Sequence, residues 1–217
     1  RSECSRILLA VLLLLFSPSA SALDVLVWGT GDGNSVQEVG NTISGGNFTS
    51  VTISTDTNIS LSVLNQYDAI LFYTNGTGDP NNGNVLADYA DTGKRLVVCT
   101  FSHAQQGGNT LGGRFVSDSY SPFVIQGGSL YSTSTMSYND GSAFFNGVSA
   151  MEAYYRDNVS LAPGAIERAT WADGVPLLAQ KDNVIGINLF PRYYPGNSSD
   201  LENLLINALE GSACVDN

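Results

Sequence analysis

Basic residues are scarce in this chain. Its 217 residues include 9 Lys and Arg against 20 Asp and Glu, which gives a formal charge of −11 at neutral pH. A surface this acidic repels the phosphate backbone of nucleic acids and the anionic face of a membrane. The composition therefore argues against nucleic acid as a partner and suits a well-solvated surface outside the cell.

Long apolar runs are missing as well, except near the N-terminus. Residues 7–16 (ILLAVLLLLF) follow two arginines and precede SPSASA, where Ala20 and Ala22 have the spacing that a signal peptidase reads. This run is too short for a membrane-spanning helix, which takes about 20 apolar residues. We predict a signal peptide over residues 1–22 and cleavage after Ala22. The product is then secreted or extracellular, or periplasmic in a bacterium, with no membrane span.

The remainder, residues 23–217, is predicted to form a single domain. Loss of Arg1, Arg6 and Glu3 with the leader leaves 7 basic and 19 acidic residues, a charge of −12. A domain of this size buries roughly 70% of its unfolded surface and needs no disulfide to hold its core. Cysteines are few: Cys99 lies in an apolar run and is predicted to be a core thiol, while Cys214 lies in the tail. An oxidising compartment permits a bridge between these two, but two cysteines alone do not predict one.

Five N-x-S/T sequons follow the leader. In a secreted eukaryotic protein they predict glycosylation, whereas in a bacterium they carry no such meaning. The acceptor residues are Asn47, Asn58, Asn75, Asn158 and Asn197.

The first half alternates two hydrophobic patterns. Apolar segments of strand length occur at 24–29, 50–55, 67–74 and 95–102. Short amphipathic stretches that predict helices separate them, at 35–43, 59–66 and 84–93. A strand–helix–strand order of this kind predicts a parallel sheet with right-handed crossovers.

The second half is predicted to be rich in strands. SPFVIQGGSLYSTST indicates two short strands around Gly127 and Gly128, and three more strands follow within residues 165–190. SDLENLLINALEG predicts a final helix with Ser198 or Ser199 as its N-cap and Gly211 as its end. The fold class predicted is a three-layer, flavodoxin-like α/β fold. It has a mainly parallel central sheet, helices on both faces and a β-rich second half.

Three segments resemble the class I glutamine amidotransferase-like superfamily. YDAILFYTNGTGDP (67–80) resembles the strand and glycine loop that form that family's oxyanion hole, with Gly76 or Gly78 as the donor. RLVVCTFSHAQQGG (95–108) lies where the family has its nucleophile elbow, G-x-C-x-G-H-Q. WADGVPLLAQKDNVIGINLFPRYY (171–194) resembles the last core strand, which ends in Q-F-H-P-E in the family.

The departures from this family are at its catalytic positions. The resemblance implies a Cys that attacks an amide carbonyl, a His that takes its proton, and a Glu that orients the His. Here Phe190 stands at the His position and Arg192 at the Glu position. The resemblance therefore implies the fold without the amidotransferase activity, a divergent and non-catalytic member.

Weaker catalytic candidates come from one short segment. Cys99 or Ser102 would be the nucleophile of a hydrolase with a rearranged centre, and His103, the one histidine of the chain, would be its base. No carboxylate at a fitting position is evident in the sequence. An unactivated thiol is mostly protonated at neutral pH, so Cys99 is expected to be a core residue. His103 is expected to be a surface or hydrogen-bonded loop residue.

The stretch WGTGDGNSVQEV (28–39) partly matches a flavodoxin phosphate loop. A helix N-terminus that follows glycines offers amide donors to an anion, so an FMN carrier is an alternative function. However, Asp32 would face the phosphate, and no Lys or Arg occurs between Arg6 and Lys94. A plain turn is the preferred interpretation, with Asn34 or Ser35 as the helix N-cap and Glu38 closing a capping box.

Polar residues at the ends of the parallel strands form the predicted ligand-binding rim, since ligands of open α/β sheets bind at that edge. Asp32, Asp79, Asn34 and Asn75 would suit Ca²⁺ but are also common turn residues, so neither a metal nor a cofactor is predicted. Arg114 would neutralise Asp32 or Asp79, or cover the surface. A binding or structural role toward an extracellular ligand, glycan or protein, is the expected function. The rim comprises Thr30, Asp32, Asn34, Asn75, Gly76, Gly78, Asp79 and Arg114.

Overall fold

The computed structural model describes residues 22–75, 79, 81–104, 110–192 and 200–211. In this part of the chain nine strands form one sheet, in the order β2-β1-β3-β4-β9-β8-β7-β5-β6. The strands are β1 (Leu23–Thr30), β2 (Phe48–Ser54), β3 (Ala69–Thr74), β4 (Arg95–Cys99), β5 (Phe123–Asn139), β6 (Glu152–Leu161), β7 (Ile166–Trp171), β8 (Pro176–Lys181) and β9 (Val184–Ile187). The helices are α1 (Gly33–Thr42), α2 (Leu61–Leu64), α3 (Asn82–Ala90), α4 (Gly113–Ser117) and α5 (Leu201–Glu210).

The first four strands and β9 form the parallel half of the sheet. β1 pairs with β2 and β3, and β4 joins β3 to β9, all in parallel. Every residue of β3 is buried, as expected for a strand covered on both faces. The four strands predicted in the first half are confirmed, although β4 ends at Cys99, three residues earlier than expected.

Helices cover both faces of this half, because successive side chains of a strand point to opposite sides. Val25 and Val27 pack in one core with α1 and α5. Leu26 and Trp28 pack in a second core with residues of α2, α3 and α4. The three-layer architecture predicted from the sequence is therefore confirmed.

The second half of the sheet is antiparallel. β9 pairs with β8, β8 with β7, β7 with β5, and β5 with β6. β5 is a single strand of 17 residues, so the prediction of two short strands is wrong. Gly127 and Gly128 lie in a register shift between Ile125 and Ser129, and a bulge uses glycine as readily as a turn does.

Helix α5 closes the face that carries α1. Its apolar residues Leu204, Leu205 and Leu209 are fully buried, and Gly211 follows the helix at φ +63°, as its predicted end requires. The position before the helix is Asp200, whose carboxylate accepts from the backbone N–H of Ser149 and Ala150 instead of capping α5. The predicted caps Ser198 and Ser199 lie outside the described residues.

Candidate functional site

The parallel strands end together at one edge of the sheet, where hydrogen bonds connect the segments that leave them. We call this edge of the structure the rim; it comprises residues 30–35, 73–75, 100–103 and 188–192, and so includes Asp32 and Asn75 of the predicted ligand-binding rim but not Asp79 or Arg114. The N–H of Asn75 donates to the carbonyl of Thr30 at 2.8 Å, and that of Phe101 to Thr74 at 3.2 Å. The N–H of Thr100 donates to Leu189 at 3.2 Å. The rim thus brings together the ends of β1, β3, β4 and β9.

Phe190, which the resemblance aligns with the family's His, contacts Phe101, which lies two residues after β4. The ring centroids of Phe101 and Phe190 are 5.3 Å apart, and their planes lie at 30°. Tyr73 meets Phe190 edge to face at 5.4 Å. Phe101 and Phe190 are buried, and neither can transfer a proton. The ring of Phe101 therefore packs against Phe190, the residue that the resemblance aligns with the family's His.

Cys99 is a core thiol, as predicted. Its side chain is fully buried within the core that contains α1 and α5. Burial raises the pKa of the Cys99 thiol far above its usual range, since a thiolate is poorly solvated there. A protonated and inaccessible sulfur cannot act as a nucleophile.

Ser102 and His103 do not form a catalytic pair. The hydroxyl of Ser102 is buried and has no hydrogen-bond partner among the described residues. The Nε2 of His103 lies 3.0 Å from the carbonyl of Val98, so Nε2 carries a proton and donates it. Burial lowers the pKa of His103 to about 4, and the ring is neutral at pH 7. Of the two alternatives left open for His103, a surface residue or a hydrogen-bonded one, the second is confirmed, and only 2% of the residue is exposed.

A buried carboxylate that the sequence did not reveal lies beside this segment. Asp157 of β6 accepts from the backbone N–H of His103 at 3.0 Å and from the hydroxyl of Ser129 at 3.0 Å. Asn188 fixes the backbone of Asp157 from both sides, through its Oδ1 and Nδ2. Burial raises the pKa of Asp157 to about 7. Since the carboxylate holds the His103 backbone and not its ring, it does not complete a triad.

The β1–α1 segment is a capped turn. Asp32 is the N-cap of α1, and its Oδ1 accepts from the N–H groups of Asn34 at 3.1 Å and Ser35 at 3.2 Å. The prediction of Asn34 or Ser35 as the cap is therefore wrong. Gly31 has φ +92°, and a Cβ on Gly29 would clash with Val36. The glycines therefore allow the tight turn and the close packing of α1 on β1. The amides that would hold a phosphate already donate to the Asp32 carboxylate.

Arg192 interacts with α1 at this edge. Its guanidinium forms two hydrogen bonds to the carboxylate of Glu38, one of them Nη2 to Oε1 at 2.7 Å. Its Nη1 also lies 3.9 Å from Oδ2 of Asp32. Glu38 therefore pairs with Arg192 and does not close the predicted capping box. Arg192, which the resemblance aligns with the family's orienting Glu, thus connects the end of the sheet to α1.

The other predicted rim residues differ in their surroundings. Asn75 donates to Oδ2 of Asp32 at 3.1 Å, and Thr30 is buried with no partner for its hydroxyl in the described ranges. Asp79 accepts from the N–H of Asn81 and so stabilises the turn before α3. Arg114 pairs with Asp88, Asp91 and Asp118, and not with Asp32 or Asp79 as suggested by the sequence. Gly76 and Gly78 lie outside the described residues.

No metal centre is found in the portion of the chain that the structure covers, where no three His, Cys, Asp or Glu side chains converge. The carboxylates of Asp32 and Asp79 instead accept from nearby backbone amides, as turn residues do.

Tyrosines of β5 and β6 extend the aromatic contacts of the rim to the surface. Tyr155 meets Phe101 edge to face at 5.8 Å and contacts Tyr131 at the same distance. Tyr154 lies 6.4 Å from Tyr131. Tyr131 is 49% exposed and Tyr154 45%. We call Tyr131, Tyr154 and Tyr155 the tyrosine platform; sequence reasoning missed it because exposed aromatics on a strand look like ordinary strand residues.

Two of the sequon asparagines, Asn47 and Asn58, are exposed. Asn75 and Asn158 are half-buried, and the side-chain amide of Asn75 donates to Asp32. Asn197 lies outside the described residues. Glycosylation therefore stays a prediction, with Asn47 and Asn58 as the most accessible acceptors.

The sheet and its flanking helices have the fold of several solved α/β structures, glutamine amidotransferase-like chains among them. A cytoplasmic protein from Salmonella typhimurium superposes with a TM-score of 0.65 at 13% identity, covering 87% of this chain and 98% of that one. A Thermoplasma acidophilum protein provisionally assigned as part of a GMP synthase gives 0.58 at 11%, covering 86% and 92%. A glutamine amidotransferase from Methylobacillus flagellatus gives 0.51 at 12%, covering 80% and 72%.

Identities this low establish a shared fold and nothing about activity. No protein-family model matches the chain, and no curated protein does. Within the described ranges, none of the helices has the length and apolar character needed to cross a bilayer.

Proposed function

We propose that the chain is a secreted binding domain with a glutamine amidotransferase-like fold and no amidotransferase activity, and that the tyrosine platform binds a glycan. The observation that carries the proposal is the contact between Phe101 and Phe190, continued outward by Tyr155 and Tyr131. Aromatic rings replace the proton-transfer groups and lead to an exposed surface at the same edge of the sheet.

The chemistry that the family requires supports the proposed absence of amidotransferase activity. A nucleophile needs a base within about 3.2 Å, and that base needs a group to orient it. Phe190 and Arg192 cannot supply these functions, and Cys99 is fully buried with a raised pKa. His103 donates its Nε2 proton to a backbone carbonyl.

The tyrosine platform has the properties of a carbohydrate-binding surface. The C–H groups of a sugar ring pack against the face of an aromatic ring, and the phenolic hydroxyl can form hydrogen bonds to sugar hydroxyls. The edge-to-face contacts of Tyr155 with Tyr131 and Tyr154 hold the rings in place, which limits the entropy lost on binding.

The two other functions that the sequence left open have less support. A hydrolase would need an accessible nucleophile beside His103, and the hydroxyl of Ser102 makes no hydrogen bond to that ring. An FMN carrier would need free amides at the start of α1, and these donate to the carboxylate of Asp32 instead.

A glycan array probed with the purified chain tests the proposal. We expect binding to at least one glycan class, and Tyr131→Ala to weaken it by at least about fivefold, because an interfacial Tyr often contributes more than about 1 kcal/mol. In parallel, the protein should release no ammonia from glutamine. Iodoacetamide should not label Cys99 in the native state.

Tyr138→Ala is the matched control. Tyr138 lies on the same strand and is 52% exposed, but it has no ring contact with the platform among those described. If the chain binds no glycan on the array, or if Tyr131→Ala and Tyr138→Ala weaken glycan binding equally, the platform is not a glycan site. Release of ammonia from glutamine, or labelling of Cys99 in the native protein, would instead support the alternative hydrolase function.

A further inference from the structure

A cavity of about 220 Å³ lies between α4, the start of β5 and the residues that follow β6, and neither Phe101 nor Phe190 is among the described residues that line it. It is bounded by Leu111 and Phe115 on one side and by Phe123, Val124 and Ile125 on another. Ala162 and Pro163 complete the apolar part of the wall. The lining is thus mainly hydrophobic, as in most small-molecule sites.

One polar side chain in this wall is without a partner among the residues that the structure describes. The backbone of Ser102 is satisfied, since its N–H donates to Cys99 at 3.1 Å and its carbonyl accepts from Leu111 at 3.0 Å. Its hydroxyl is buried, with 1% of the residue exposed, and has no hydrogen bond to any described residue. Buried hydroxyls are nearly always hydrogen-bonded, so this one is suited to a bound molecule.

No charged side chain is among the described residues that line the cavity. His103 is the one titratable group there, and its ring is neutral at pH 7 because burial lowers its pKa to about 4. An ion would lose its hydration without gaining a counter-charge. The wall therefore favours a neutral ligand.

The cavity opens to solvent beside apolar side chains. Val116 of α4 is 44% exposed and Val124 of β5 is 40% exposed, and both belong to the lining. Ser119, also exposed, lies on the same wall. A ligand can therefore enter without unfolding of the surrounding elements, and it would cover apolar surface that now faces water.

We propose that this cavity binds a small, neutral, mainly apolar molecule with one hydroxyl or carbonyl group, which hydrogen-bonds to the Ser102 hydroxyl. Apolar cavities of about 150 Å³ accept benzene, so the present volume accommodates a single aromatic ring with one or two substituents. The site is separate from the tyrosine platform, and its occupancy is independent of the glycan-binding proposal.

The test compares p-cresol with toluene, which differ by a single hydroxyl, by calorimetric titration of the full chain. We expect p-cresol to bind about fivefold to tenfold more tightly, as one additional hydrogen bond provides. Ser102→Ala should remove this preference while both probes still bind. Val116→Trp should fill the mouth of the cavity and weaken both probes.

Val63→Trp is the matched control, because Val63 is 40% exposed on α2 and does not line the cavity. Binding of neither probe to the wild-type chain overturns the proposal. So does equal affinity for the two probes, a preference that persists in Ser102→Ala, or equal effects of the two Trp substitutions. If Ser102→Ala does not fold, the pair of Trp substitutions at exposed positions still decides whether this cavity is the site.

Discussion

At the scale of single residues, two buried titratable residues, Asp157 and His103, are linked by a hydrogen bond, and their ionisation affects stability in opposite directions. The pKa of Asp157 is raised to about 7 by burial, and that of His103 is lowered to about 4. Asp157 accepts from the N–H of His103, so both belong to one buried polar cluster.

The signs of the two contributions follow from proton binding in the folded and unfolded chains. Between pH 3.8 and about 7 the folded chain keeps a proton on Asp157 that the unfolded chain has lost, so this group lowers the free energy of unfolding as pH rises. Between about pH 4 and 6.5 the unfolded chain holds a proton that folded His103 lacks, so this group raises it. The wild-type profile should therefore be nearly flat from pH 4 to 6.5 and fall toward pH 7.

We expect Asp157→Asn to stabilise the protein at pH 8 by on the order of 2–4 kcal/mol and to leave it nearly unchanged at pH 4. The amide keeps the hydrogen bonds with His103 and Ser129, since its carbonyl accepts from the His103 N–H and its NH₂ donates to the Ser129 hydroxyl. Urea unfolding at pH 4, 5.5, 6.5 and 8 measures the effect. A destabilised variant at pH 8 would show that the carboxylate is well solvated or paired.

Asp157 could not be recognised as a buried residue from the sequence. Arg156 and Asp157 are consecutive in β6, and both are fully buried. A strand normally turns successive side chains to opposite faces, and charged residues are almost never fully buried without a partner. Phe190 and Arg192, by contrast, could be singled out from the sequence, because the Q-F-H-P-E motif of the resemblance names the residues expected at those positions. The contact between Phe101 and Phe190 could be recognised only from the structure, because Phe101 lies beyond the end of β4, where strand periodicity no longer predicts the direction of a side chain.

At the scale of elements, α1 depends on Asp32 for its start. Asp32→Ala should reduce the free energy of unfolding by about 1–2 kcal/mol, because two N–H groups at the start of α1 lose their acceptor. Asn34→Ala, within the first turn, should change it by less than about 0.5 kcal/mol. Thermal and urea unfolding of the two variants make the comparison, and an equal loss from both would contradict Asp32 as the cap.

Hydrophobic periodicity was sufficient to predict β1 to β4 and the helices α1, α2 and α3 between them, whereas α4 was not predicted. β1, β2, β3 and β4 stand within three residues of their predicted positions. It failed for β5, because a Gly-Gly pair between apolar runs is typical of a turn, whereas here it relaxes a bulge within one strand. Local sequence does not distinguish these, since tertiary pairing with β6 and β7 decides which occurs.

At the scale of the whole molecule, the predicted leader ends where the sheet starts. β1 begins at Leu23, directly after the predicted cleavage site. Expressed with its N-terminal segment in a eukaryotic secretory host, the protein should appear in the medium with Leu23 as its first residue and with glycans on Asn47 and Asn58. Intact mass before and after glycosidase treatment measures both. Retention of residues 1–22, or a chain that stays inside the cell, would contradict secretion.

The long strand β5 connects the cavity, the platform and the rest of the sheet. Its first residues, Phe123 to Ile125, pair with β6 and line the cavity; Tyr131 lies in the platform; and Met136 to Asn139 pair with β7. At about 3.3 Å per residue, the backbone runs about 26 Å from Phe123 to Tyr131. If two copies of the chain exchanged the antiparallel pair β5–β6, each would receive from the other both part of the cavity wall and the Tyr131 ring of the platform. Swapped dimers would thus have composite versions of both surfaces, each built from two polypeptides.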